Sequence, residues 1–261
     1  MCIRDRVRIN PGNIGSIERI HEVLGAAKEK NIPIRIGVNS GSLEEDILDK
    51  YGYPTPEALF ESAMRHAGVC EDFGFTDVII SVKSTDVRLM IEAYRLIAAR
   101  TDYPLHLGVT EAGTTKVGTI KSSVGIGTLL AEGIGDTIRV SLTDEPEREV
   151  EVGKEILRSL GLASRGVEII ACPTCGRLEI DLFKVTRELE EALQGVKKPV
   201  KIALLGCVVN GPGEASEADI GIAAGKGVGI LYRKGEVVRR IREDEIVQAV
   251  LEEVEKFIPK E

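Results

Sequence analysis

The chain has 261 residues, 43% of them hydrophobic, a formal net charge of −8 and a mean hydropathy near zero. That is enough apolar material for one large domain or two smaller ones, with no run long enough to span a membrane and no secretory signal at its first residues. The acidic, mixed-sign charge argues against general nucleic-acid or anionic-membrane binding, though not against a local basic pocket, and five cysteines, an odd number, read as a reduced cytoplasmic protein.

The opening "MCIRDR" has no apolar period and reads as foreign to the rest of the chain, so Cys2 is given no role. From there β-rich runs recur: "VRIN" (7–10), "PIRIGVN" (33–39), "DVIISVK" (77–83), "LHLGVTEA" (105–112) and "TIRVSLT" (137–143). Between them "SIERIHEVLGAAKEKN", "TPEALFESAMRHAGVCEDFG" and "STDVRLMIEAYRLIAART" carry apolar residues at three- and four-residue spacing, the mark of amphipathic helices. Thr55 before Pro56 and Glu57 is a helix start, and Asn31 before Pro33 a helix stop. Strands alternating with helices make βαβ units and a parallel sheet.

The strands end in polar residues: Arg8 and Asn10, Asn39 and Ser40, Lys83 and Ser84, Thr110 and Glu111, Ser141. Parallel β/α folds place ligands at the carboxyl ends of their strands. A doubly wound sheet competes with a (β/α)8 TIM-type barrel. The barrel is preferred because no Gly-x-Gly-x-x-Gly turn follows the first strand and because polar ends are general. Five units cannot close eight strands, so about three units are expected to be lacking before the first strand. The expected division is a partial barrel over 1–164 and a small α/β domain over 165–261.

After a helix around 150–160 ending at Gly161, the second region offers strands "VEIIA" and "KIALLGCVV" around the helix "LFKVTRELEEALQ". A hairpin, "GVGILYRKGEVVRRI", turns at Lys234–Gly235, and the helix "EDEIVQAVLEEVEKFI" closes the chain. Cys172 and Cys175 form a Cys-x-x-Cys pair directly after the first of these strands. Such a pair can bind metal, cycle as a dithiol or ligate an iron–sulfur cluster. Cys207, late in the second strand, could join it at one sheet edge. The Gly-Pro-Gly loop after it could bring Asn210 or Glu214 back towards that edge. Three thiolates and a weaker oxygen ligand suit a [4Fe–4S] cluster with one labile iron. Zinc normally wants four Cys/His ligands, and His21, His66 and His106 all lie in the first region. A zinc-stapled interaction module, a thiol–disulfide oxidoreductase and inert buried cysteines stay open on spacing alone. Cys70 reads as a packing residue.

Together "RINPGNIG", "IPIRIGVNSGSL", "ESAMRHA", "SVKSTD", "HLGVTEAG", "GIGDTIRVSL", "ACPTCGR" and "GCVVNGPGEA" resemble the 4-hydroxy-3-methylbut-2-enyl diphosphate synthase family in order and spacing, from Val7 to the C-terminus. The resemblance implies an N-terminal (β/α)8 barrel and a sulfite/nitrite-reductase-like C-terminal domain. It implies a [4Fe–4S] cluster on Cys172, Cys175, Cys207 and Glu214, and a catalytic glutamate at Glu111. The implied reaction opens and dehydrates 2-C-methyl-D-erythritol 2,4-cyclodiphosphate, with ferredoxin or flavodoxin as electron donor, in a cytoplasmic homodimer. Arg8, Asn13, Lys83 and Ser141, with Arg35 and Asn39 behind them, become the expected substrate contacts. With three units lacking, the chain by itself is expected to have an open barrel and little or no activity.

Overall fold

The computed structural model describes residues 6–163, 166–207, 209 and 211–257. Cys2 and Asn210 lie outside them. The chain divides after Leu162 into two compact units, each with its own core.

The first unit runs β1 (Val7–Ile9), α1 (Pro11–Ile14), α2 (Ile17–Lys30), β2 (Ile34–Asn39), α3 (Glu45–Tyr51), α4 (Pro56–Asp72), β3 (Val78–Lys83), α5 (Val87–Ala98), β4 (His106–Leu107), α6 (Thr115–Ala131), β5 (Thr137–Ile138) and α7 (Pro146–Ser159). β1, β2 and β3 pair in parallel, with Arg8 opposite Arg35 and Asn39 opposite Lys83. A single bridge, Ile80 to Leu105, joins β3 to the segment entering β4, and β4 pairs in parallel with β5. Among the described residues neither β1 nor β5 has a further neighbour, so the sheet stays open.

The helix signals act as the chemistry demands. The Thr55 hydroxyl accepts the Ala58 amide at 3.0 Å, and Asn31 leaves α2 in the left-handed conformation at φ 52°. Successive strand residues face opposite sides. Ile34, Ile36 and Val38, with Val78, Ile80 and Val82, are at most 3% exposed. They face the helical layer, where β2 and β3 pack on α4 and β3 also on α5. Arg35, Gly37, Asn39, Ser81 and Lys83 therefore share the other face. Cys70 is fully buried, as expected, and burial pushes its thiol up to about 11.

Two expected strands are shorter than their apolar runs. Beyond Leu107 the chain leaves the sheet, and the Thr110 amide donates to Ser84 instead. Beyond Ile138 one more rung forms, Arg139 N–H to Leu107 O at 2.9 Å, before the chain turns towards Gly113.

The second unit runs β6 (Glu168–Ala171), α8 (Leu182–Ala192), β7 (Lys201–Leu205), α9 (Gly211–Ser216), β8 (Ile220–Gly225), β9 (Val228–Arg233), β10 (Glu236–Arg242) and α10 (Ile246–Lys256). Its sheet has the order β10-β9-β8-β7-β6, parallel from β6 to β8 and antiparallel beyond. The hairpin turns at Lys234–Gly235, both with positive φ (48° and 86°), as a tight two-residue connection requires. Ile202, Leu204, Ile220 and Ile222 pack with Leu189 and Val250 on one face, and Leu205 and Ala223 with Ala215 of α9 on the other. Two expectations need correction. Cys207 lies beyond the end of β7, in a bend, and the Gly-Pro-Gly stretch is the helix α9 rather than a loop. Glycine at 211 eases that close approach, because a Cβ there would press on the Ala223 side chain at 3.0 Å.

Candidate functional site

The polar face of the first unit gathers cations. Arg8 crosses from β1 to β2, donating to the Gly37 carbonyl at 2.8 Å and to the Asn39 side-chain oxygen at 3.2 Å. Glycine at 37 makes this possible, since a Cβ would stand 2.1 Å from Arg8 Nε. Arg35 is half-buried, and its Nε finds no partner among the described residues. Loss of water, then the fields of neighbouring arginines, depress the basicity of both guanidiniums.

Lys83, at the carboxyl end of β3, is only 4% exposed. Its ammonium makes no hydrogen bond or ion pair among the described residues. Burial, then Arg139, Arg35 and Arg8, bring it down to about 7. Gly108 lets the Arg139 carbonyl come close, since a Cβ there would lie 2.5 Å from it, and the same position is in ordinary contact, 3.5 Å, with Lys83 Cε. His106 lies 6% exposed on the same face, its Nδ1 2.8 Å from the Thr137 hydroxyl and its Nε2 without a partner among the described residues. Burial, then Lys83 and Arg35, hold the imidazole neutral down to about 3.

The charges acting most strongly on Lys83 and His106 are therefore all positive. Uncompensated cations on one sheet face suit a multiply charged anion such as a diphosphate, with guanidiniums gripping oxygens in pairs and the ammonium acting as a point charge.

Of the expected contacts, the structure brings together Arg8, Arg35, Asn39 and Lys83. Asn13, exposed on the short helix α1, and Ser141, half-buried beyond β5, have no side-chain bond tying them to that group. Arg139 is the residue the sequence reading missed. It alternates with Thr137 and Ser141 in "TIRVSLT", so the rule that singled out Ser141 would have found it. Glu111 is exposed in the left-handed region at φ 51°, with the Thr85 hydroxyl at 3.5 Å. Such a conformation is uncommon for glutamate and recurs at functional positions.

In the second unit the Cys-x-x-Cys segment is fastened to the residue before Cys207. The Gly206 amide donates to Cys172 Sγ at 3.4 Å, and its carbonyl accepts the Glu179 amide at 3.0 Å. Leu178 lies against Gly206 so closely that a Cβ would meet it at 2.2 Å. Cys172, Cys175 and Cys207 are all free thiols. The Arg177 amide, then its side chain, lower the Cys175 thiol. Glu214 is exposed in the first turn of α9, which packs on β7 and β8. Among the described residues no group of three or more His, Cys, Asp or Glu stands close enough to hold a metal ion. A cleft of about 920 Å³ opens beside Cys172, with Thr174, Phe183 and Arg187 in its walls.

No helix of the described residues is long and apolar enough to cross a membrane. Two family models match the chain, described as "GcpE TIM-barrel domain" over residues 2–154 and "GcpE protein C-terminal domain" over residues 168–256. A Clostridium perfringens protein named 4-hydroxy-3-methylbut-2-en-1-yl diphosphate synthase (flavodoxin) is 59% identical over 249 residues, which is 95% of this chain and 71% of that protein. Proteins of the same name from Clostridium acetobutylicum (60% over 251 residues) and Fusobacterium nucleatum (59% over 257 residues) cover 96% and 98% of this chain, and 72% of their own length.

Proposed function

The chain belongs to the GcpE family, and from that premise we propose that it serves the reductive ring opening of 2-C-methyl-D-erythritol 2,4-cyclodiphosphate to 4-hydroxy-3-methylbut-2-enyl diphosphate. Two electrons and two protons are taken up, the ring carbon–oxygen bond breaks, and a hydroxyl leaves as water. The observation that carries this reading is the group Arg8, Arg35, Lys83 and Arg139, cations on one sheet face whose strongest charged neighbours among the described residues are one another. The relatives' printed name supplies flavodoxin as electron donor, and it favours neither a zinc-stapled module nor a dithiol oxidoreductase.

In this reading the first unit binds. Arg8, held against Gly37, and Arg35 grip diphosphate oxygens, and Lys83 adds a point charge from below. Asn39 fixes Arg8 through its side-chain oxygen. Asn13 and Ser141 reach the rest of the substrate from their loops. Glu111 gives a proton to the departing hydroxyl, which is general-acid catalysis, and its strained backbone holds the carboxyl outward for that task.

The second unit would hold a [4Fe–4S] cluster through Cys172, Cys175, Cys207 and Glu214. The donor set fits: three free thiols, one of them with a depressed pKa, and an oxygen donor. Gly206 already fastens the Cys172 segment to the end of β7. A bound cluster supplies the two electrons one at a time. The protein works as a cytoplasmic homodimer.

Calorimetric titration of the chain with the cyclic diphosphate tests this reading. Binding is expected, weakened at least about tenfold by Lys83→Met, the scale of one lost charged contact. An affinity that Lys83→Met leaves unchanged would contradict it.

A further inference from the structure

The inner face of the first unit holds a buried donor and a buried acceptor, side by side and each unbonded among the described residues. Lys83 is a buried ammonium with no acceptor among the described residues. His106 is a buried imidazole whose Nε2 has no donor. They belong to neighbouring strands on one face, since Ile80 is opposite Leu105 and the faces alternate. The Lys83 side chain leans over β4, passing 3.5 Å from where a Cβ on Gly108 would be, two residues from His106. Lys83 is also the charge that acts most strongly on His106.

We propose that His106 is a positioning residue: its Nε2, unbonded among the described residues, is the acceptor the Lys83 ammonium reaches when an anion binds on this face, and it aims that charge at the anion. The inference rests on the anion-binding reading above.

The ring is held for the task. Its carbonyl takes the Tyr94 hydroxyl at 2.5 Å, and Thr137 meets Nδ1 at 2.8 Å. With Nδ1–H donated to Thr137, Nε2 keeps its lone pair and can only accept. Burial among cations keeps the ring uncharged. Neutrality matters, because a carboxylate in this place would satisfy Lys83 but cancel the charge the anion needs. A neutral acceptor replaces one hydrogen bond of the lost hydration shell and leaves the field intact. Arg35 Nε and the Ser81 hydroxyl are further buried donors on this face that lack a partner among the described residues, so the test must separate them from Lys83.

Sulfate is a suitable probe, because it stays a dianion across the working pH range. Its binding to the chain is followed by NMR on lysine labelled at the ε-carbon, with Lys83 assigned through Lys83→Arg. His106→Phe is expected to weaken sulfate about tenfold, the scale of one hydrogen bond to a charged group. His106→Asn, which can meet Thr137 but offers nothing at Nε2, should match that loss and guards against a folding defect in the phenylalanine variant. His106→Gln, with an acceptor near the Nε2 position, should stay within about threefold. In a Lys83→Met background, His106→Asn should have no further effect. A loss that persists there would assign the contact to Arg35, to Ser81 or to packing and overturn the proposal. Sulfate binding that neither His106→Phe nor His106→Asn alters would overturn the positioning role alone. No sulfate binding to the parent chain would remove the anion-site reading and this inference with it.

Discussion

The hydroxyl of Tyr94 donates to the carbonyl of His106 at 2.5 Å while accepting the Val82 amide at 3.1 Å. It stands where β3 and β4 would otherwise exchange ladder bonds, and among the described residues the one bridge there is Ile80–Leu105, just before β4. A fully buried side chain of α5 thus completes the sheet beneath Lys83 and His106. Tyr94→Phe leaves two buried backbone groups unpaired and should cost about 2–4 kcal/mol, read by urea denaturation. A loss below about 0.5 kcal/mol would show that the hydroxyl does not hold the strands.

Lys83 gives a pH dependence whose sign follows from burial. The unfolded ammonium keeps its proton to about 10.4, whereas the folded one loses it near 7. Below pH 7 both states bind the proton and the fold bears the whole desolvation penalty. Between 7 and 10 the unfolded state binds more protons, so stability rises with pH, and beyond that the penalty is gone. Lys83→Met should therefore be more stable than the parent by a few kcal/mol at pH 6, with the gap closing towards pH 10. Thermal melts across that range check it, and equal stability at pH 6 would contradict the burial argument.

Gly37→Ala separates binding from folding. The new methyl would occupy the place of Arg8 Nε, 2.1 Å away, and push a flexible side chain off the Gly37 carbonyl and Asn39. Sulfate affinity should fall about tenfold, while stability changes by no more than about 1 kcal/mol, since alanine in a strand is favoured over glycine by roughly that amount. Unchanged sulfate binding would remove Arg8 from the site.

Cys175 should be the most reactive thiol among the described residues at neutral pH, being exposed and assisted by Arg177. Arg177→Ala removes the side-chain part of that assistance and leaves the amide. Its alkylation by iodoacetamide at pH 7 should slow several-fold and recover at pH 9. An unchanged rate would place the activation in the backbone alone.

The apolar strands and capped helices of the first unit were legible because their residues act locally. Ile34, Ile36 and Val38 alternate, Thr55 caps, and Asn31 turns left-handed. Helix α6 was not legible. "TKVGTIKSSVGIGTLLA" leaves Val117, Ile120 and Val124 exposed and buries Gly118 and Gly125, so its apolar residues do not mark its buried face. Gly125 is there for contact, because a Cβ would meet Met90 at 2.7 Å, and such a contact belongs to the tertiary structure. Helix α9 was hidden for the same reason, its glycine lying against Ala223 of β8. Lys83 and Arg8 could be read from strand ends, whereas Arg35, near the start of β2, entered only as a weaker contact beside the family resemblance. That no acid among the described residues pairs with Lys83 could not be read, since that depends on which strands lie side by side. Arg139 could have been read and was passed over.

The most direct test of the account counts metal in the second unit. The chain is purified and reconstituted anaerobically with iron and sulfide, and iron, acid-labile sulfide and zinc are measured alongside the visible spectrum. Iron and sulfide in equal amounts, with broad absorption at the blue end of the visible, are predicted for the parent. Cys172→Ser, Cys175→Ser and Cys207→Ser should each lose it, and Glu214→Ala should form a less stable cluster. Zinc without iron or sulfide, or a cluster that survives all three cysteine substitutions, would contradict the account.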